Sequence, residues 1–99
     1  MTERFERRVA EVDRLVRELA PDSAAEVRRT TGPGDSAQWD RAGSWATLTL
    51  HDDGRLELTL HTGSDVHPDA LEIGLDDPDV AAMIAQPVAT LLAGASGEP

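Results

Sequence analysis

Three histidines and nineteen carboxylates are the residues whose types could bind a metal or carry protons in this 99-residue chain. Asp65, His67 and Asp69 form a D-x-H-x-D cluster, and those are ligand types a divalent ion accepts. No second compact ligand set accompanies them, and loops of this composition are ordinarily just solvated. His51 and His61 fall at opposite ends of one hairpin, roughly 20 Å of strand apart, so they cannot share an ion. Hydrolytic chemistry finds no better footing. Ser44 and Ser64 each follow a glycine, but neither sits in a G-x-S-x-G elbow. The chain has no cysteine and no lysine, which closes the thiol and Schiff-base routes. Asp52-Asp53 reads as a turn, and Asp76-Asp77 as the start of a helix. Gly32-Pro33-Gly34 lacks the spacing and the following lysine of a phosphate loop. The expectation is a protein that is not an enzyme, with no metal and no cofactor.

The element that positions everything else is Trp45 to Leu60, WATLTLHDDGRLELTL: two alternating runs around an Asp-Asp-Gly turn. Ala46, Leu48, Leu50, Leu56, Leu58 and Leu60 make one face. Trp45, Thr47, Thr49, His51, Arg55, Glu57, Thr59 and His61 make the other. A two-residue Asp53-Gly54 loop would turn the two apolar sets to opposite sides of the sheet. A three-residue loop with Gly54 left-handed pairs Leu50 with Leu56, Leu48 with Leu58 and Ala46 with Leu60. The second register is expected.

Glu3 to Leu19 predicts a helix, with Phe5, Val9, Val12, Val16 and Leu19 in steps of four and three and Leu15 widening the stripe. Thr2 can cap it, and Glu3–Arg7, Arg7–Glu11, Asp13–Arg17 and Arg14–Glu18 are spaced for ion pairs. The stripe suits packing on the protein's own sheet or against a second helix. Pro21 ends it, and residues 23–31 read equally as a short helix or a strand. Gln38 to Gly43 approaches the hairpin, with Trp39 covering a core edge. Thr62 to Asp65 is expected to break the sheet and Pro68-Asp69 to turn, with Leu71, Ile73 and Leu75 alternating in a third strand. Asp76-Asp77-Pro78-Asp79 starts a last helix from about Pro78 to Ala93, with Val80, Met83, Ile84, Val88, Leu91 and Leu92 on its buried side. Pro87 inside it predicts a kink.

The fold expected is a single α+β domain over residues 1–93. It has an N-terminal helix, an antiparallel sheet of three or four strands built on the 45–61 hairpin, and a C-terminal helix; 94–99 form a frayed tail. A chain this small buries only about 60–65% of its unfolded surface, so a homodimer is expected to cover what remains. Neither a signal peptide nor a membrane span is visible, which predicts a cytoplasmic protein. The net charge of −10 is uneven. Residues 1–30 balance seven arginines against seven acids, so the whole excess lies in 31–99. Such a field favours a basic protein partner over generic nucleic-acid binding.

Three stretches, MTERFERRVAEVDRLVREL, ATLTLHDDGRLELTL and DDPDVAAMIAQPVATLLAG, together resemble the YbaB/EbfC family of bacterial nucleoid-associated proteins. They are similar to its charged first helix, its strand–turn–strand and its closing helix. The resemblance implies an α/β dimer joined through its sheets and DNA binding with little sequence preference. Phosphate would then meet Arg4, Arg7, Arg8, Arg14 and Arg17. The chain departs from the family at Pro21, which shortens the first helix, and in the longer passage from His61 to Ile73. The competing expectation is an acidic protein-interaction module (an adaptor, immunity or secretion accessory protein). Its surface would comprise Trp45, Thr47, Glu57 and Thr59 with the acidic Asp76 and Asp77.

Overall fold

The computed structural model describes residues 2–32, 34–62, 65–71 and 74–94; along 65–71 it describes the backbone and, of the side chains, that of Val66. The elements are α1 (Glu3–Leu19), a single 3-10 turn at Ala24–Glu26, β1 (Arg28–Thr31), β2 (Ser36–Arg41), β3 (Ser44–Leu50), β4 (Leu56–Thr62), β5 (Asp65–Leu71) and α2 (Val80–Gly94). The strands form one antiparallel meander in chain order, β1-β2-β3-β4-β5. The protein is the α+β fold its sequence predicts: helix, antiparallel sheet, helix.

The central hairpin has the expected register. Leu50 pairs with Leu56, Leu48 with Leu58 and Ala46 with Leu60. Gly54 has φ 89° and donates its N–H to the His51 carbonyl, while the His51 N–H bonds the Arg55 carbonyl. This is the left-handed glycine that a three-residue loop requires, and it keeps every leucine on one face.

Around that hairpin the sheet is larger than the sequence signals predict. Residues 24–31 supply both a 3-10 turn and a strand. Ser36 to Arg41 is a full strand, joined to β3 by Ala42 and Gly43 at φ 51° and 84°. The sheet does not break after His61: β4 runs to Thr62, which pairs with Asp65 of β5. The last strand therefore spans Asp65–Leu71 and not Leu71 to Leu75. Ile73 lies outside the described residues, and Leu75 stands in a turn. Pro68 sits within β5 opposite Thr59 instead of in a turn. An edge strand tolerates a proline because one of its sides has no ladder to complete.

Both helices lie on one face of the sheet. Phe5, Val9, Val12 and Val16 of α1 and Val80, Ile84, Val88 and Leu92 of α2 meet Ala37, Trp39, Ala46, Leu48, Leu56 and Leu58 from the strands, all buried. Each large side chain buried this way contributes about 1.5–3 kcal/mol. Trp39 is fully buried on β2, beside the exposed β1. Two residues expected inside are out: Leu19 is 54% exposed and Met83 51%. Leu19 is the last residue of its helix, and Met83 borders the stripe that Val80, Ile84 and Val88 bury without belonging to it.

The helices run in the same direction. Arg4, in the first turn of α1, is ion-paired with Asp76 just before α2, and Leu19 shares a hollow with Ala89 and Ala93 near the other end. Parallel macrodipoles, each about half a charge at either end, repel one another. The chain answers at both ends. Glu3 and Glu6 lie in the first turn of α1, and Asp76, Asp77 and Asp79 precede α2. At the other end, Arg17 lies in the last turn of α1 and Arg41 Nη1 donates to the Leu92 carbonyl at 2.7 Å.

Candidate binding surface

Among the described residues no helix covers the second face of the sheet. The strand registers align its side chains in rows. One row holds Arg28, Asp40, Trp45 and His61; the next holds Thr30, Gln38, Thr47 and Thr59; the last holds Ser36, Thr49 and Glu57. The β2, β3 and β4 members of these rows are half-buried by their neighbours alone. Trp45 and His61 stack, with ring centroids 4.3 Å apart and planes 16° off parallel. The Thr47 hydroxyl donates to Gln38 Oε1 at 3.5 Å. At the turn end, His51 Nε2 stands 3.5 Å from Glu57 Oε1. The surface is therefore rich in hydroxyls and anchored at one end by a preformed aromatic pair.

Of the residues expected to meet a partner, Trp45, Thr47, Glu57 and Thr59 share this face. Asp76 and Asp77 do not. Asp76 pairs with Arg4, and Asp77 Oδ1 accepts the Asp79 N–H at 2.9 Å, closing the turn that starts α2. The Arg4 guanidinium holds its proton more tightly than usual, first through the hydrogen bond to Asp76 and then through its charge. Sequence reasoning missed Arg28, Gln38 and Asp40, because residues 23–31 read equally as helix or strand and residues 38–43 read only as an approach to the hairpin. The alternation in Ser36-Ala37-Gln38-Trp39-Asp40 was the available signal.

The five arginines expected to meet phosphate all lie on α1, and each is in an ion pair. Arg7 meets Glu3, Arg8 meets Glu11, Arg14 meets Glu18 and Arg17 meets Asp13, with Arg4 on Asp76. Glu11 thus pairs at i,i+3 with Arg8 and not at i,i+4 with Arg7. Arg8 and Arg17 also tether the chain. Arg8 Nε donates to the Leu75 carbonyl at 2.8 Å, and Arg17 Nη1 to the Ala24 carbonyl at 2.6 Å. Arg4, Arg7 and Arg8 do share a hollow of about 200 Å³, but Glu11 and Asp76 line it with them.

Asp65, His67 and Asp69 are carried on β5, opposite Thr62, Leu60 and Leu58; their side chains lie outside the described part. Among the described residues no three metal-ligating side chains converge, and no helix is long and apolar enough to cross a membrane. The architecture is thus a two-layer α+β domain with one sheet face open. Comparison with family models, curated proteins and solved structures finds no match to the chain.

Proposed function

We propose that this protein is a non-enzymatic binding module that presents the open face of its sheet to a protein partner. The observation that carries the reading is the uncovered face itself, with the Trp45–His61 stack at one end and Glu57 at the other. A stacked, already ordered aromatic pair loses little conformational freedom on docking, and threonines offer hydroxyls that adapt to a partner's backbone. The excess negative charge of residues 31–99 favours a basic partner and speeds its approach.

The YbaB-like reading, DNA association through α1, has less support. Its five arginines are engaged by carboxylates, so the free positive potential of that helix is small. Arg28 and Arg29 are the arginines outside any ion pair among the described residues, and they lie on a different element.

Two measurements separate the readings. Affinity purification with the wild-type chain and with a Thr47→Arg, Thr59→Arg double variant should retain a protein with the first and lose it with the second. Anisotropy of a labelled DNA duplex at about 50 and 200 mM salt should show no saturable binding. Salt-sensitive DNA binding abolished by Arg4→Ala, Arg7→Ala and Arg14→Ala, with the sheet variant unaffected, would overturn the protein-binding reading.

A further inference from the structure

The outer side of α2 is unlike the rest of the surface. Its fifteen residues include no charged side chain, in a protein where 28% of residues are charged. Ala82, Met83, Gln86, Thr90 and Ala93 are exposed along it. Two hollows run end to end on this strip. One, of about 310 Å³, is lined by Asp79, Ala82, Met83 and Gln86. The other, of about 480 Å³, is lined by Leu19, Gln86, Ala89, Thr90 and Ala93. Gln86 is common to both. Leu19 and Met83, two exposed large apolar side chains, stand on either side of it.

This arrangement is self-complementary. Met83 projects three residues before Gln86, and the larger hollow opens three to seven residues after it. A second α2 laid antiparallel, with Gln86 facing Gln86, brings each Met83 over the other copy's Ala89, Thr90 and Leu19. Projection and hollow are then exchanged by the same two-fold axis, which is what an isologous interface requires. The charge pattern selects the same partner. Two copies at −10 each repel over most of their surfaces, but this strip brings no formal charge against itself except at the Asp79 rim. Pro87 contributes as well. It has no N–H to give the Met83 carbonyl, so that acceptor lacks its usual partner within the helix.

We propose that the protein self-associates through α2, one copy's helix lying antiparallel on the other's about an axis at Gln86. The pairing leaves both open sheet faces outward, so the dimer presents two binding surfaces. It does not depend on what those faces bind. The strip is about 22 Å long and one helix wide, well below the roughly 800 Å² per partner of a standard interface. The dimer is accordingly a reversible, concentration-dependent one.

Sedimentation velocity over about 5–500 µM, a range bracketing a micromolar dissociation constant, reads the equilibrium. The dimer fraction should rise across that range, and Met83→Asp should weaken association about tenfold or more. Because the chain has no cysteine, Gln86→Cys supplies an independent readout. Mild oxidation should link Gln86→Cys into dimers far faster than Thr47→Cys on the open sheet, and this arm decides if Met83→Asp perturbs folding. A monomer at every concentration overturns the proposal. So does a dimer insensitive to Met83→Asp but abolished by Thr47→Arg, which would place the interface on the sheet.

Discussion

Trp39 Nε1 donates a 3.1 Å hydrogen bond to Asp13 Oδ1, joining the buried face of the sheet to α1. The indole is fully buried, so its N–H has no water to fall back on. Asp13 also receives Arg17 Nε at 3.2 Å, and Arg17 in turn holds the Ala24 carbonyl. One carboxylate therefore ties the helix, the sheet and the 3-10 turn together. Asp13→Ala should cost about 1–3 kcal/mol, the penalty for leaving a buried donor unpaired. Asp13→Asn should cost less, since its amide oxygen can still accept. Urea denaturation of the two variants checks the order.

Arg41 fastens three elements at the C-terminal end of the helix layer. Its Nη1 bonds the Leu92 carbonyl and its Nη2 meets Glu26 at 3.0 Å, while the side chain is only 11% exposed. Arg41→Ala removes a charge-assisted bond from the last turn of α2 and should destabilise by about 1.5–3 kcal/mol. Amide hydrogen exchange should accelerate first at the last turn of α2, before the sheet is affected. Uniform acceleration across the sheet would contradict this role.

Ala42 stands at φ 51° in the two-residue turn between β2 and β3. A side chain in that region costs about 1–2 kcal/mol unless it is asparagine, aspartate or glycine. Ala42→Asn should therefore stabilise the protein, by about 0.5–1 kcal/mol, with no change in the pairing of Arg41 with Ser44. Thermal melting reads the gain. The same logic reverses at Gly54, φ 89°, where Gly54→Ala should lower the melting temperature.

The Asp53 carboxyl is held below its ordinary value of 3.8, chiefly by the backbone N–H of Arg55, with the Arg55 guanidinium adding to it. A depressed acid stabilises the fold above its unfolded value and loses that contribution as pH falls through the folded one. The hairpin turn should thus loosen only below about pH 4. A carbon-detected NMR titration should place the Asp53 midpoint below 3.8, and Asp53→Asn should remove this share of the acid sensitivity. A midpoint above that value would refute the assignment.

The central hairpin and both helices were legible because each is governed by a local rule. A left-handed glycine sets the β3–β4 register, and hydrophobic spacing sets α1. The hairpin before it was not, since Ala42-Gly43 carries none of the asparagine or aspartate that marks a tight turn. Strand β5 was hidden behind Pro68, which ordinarily signals a break and is permitted here because, among the described residues, β5 is an edge strand. The binding face was half legible. Alternation alone assigned Trp45, Thr47, Glu57 and Thr59 to one side, but the contributions of β1 and β2 awaited the recognition of those strands. Asp76 and Asp77 looked like surface charge, yet their place is set by the start of α2 and by Arg4. Met83 was misplaced because it borders the apolar stripe of α2, and spacing alone cannot tell an edge of that stripe from its centre.

The parallel course of α1 and α2 also constrains how this chain can change in length. Each hairpin reverses the backbone, and an odd number of strands between two helices on one face returns the second in the direction of the first. A relative that gained or lost a single strand would have to turn α2 end for end, carrying Asp76 away from Arg4 and the Leu92 carbonyl away from Arg41. A whole hairpin could be added or removed with neither contact disturbed. Variation in this architecture should therefore come in steps of two strands.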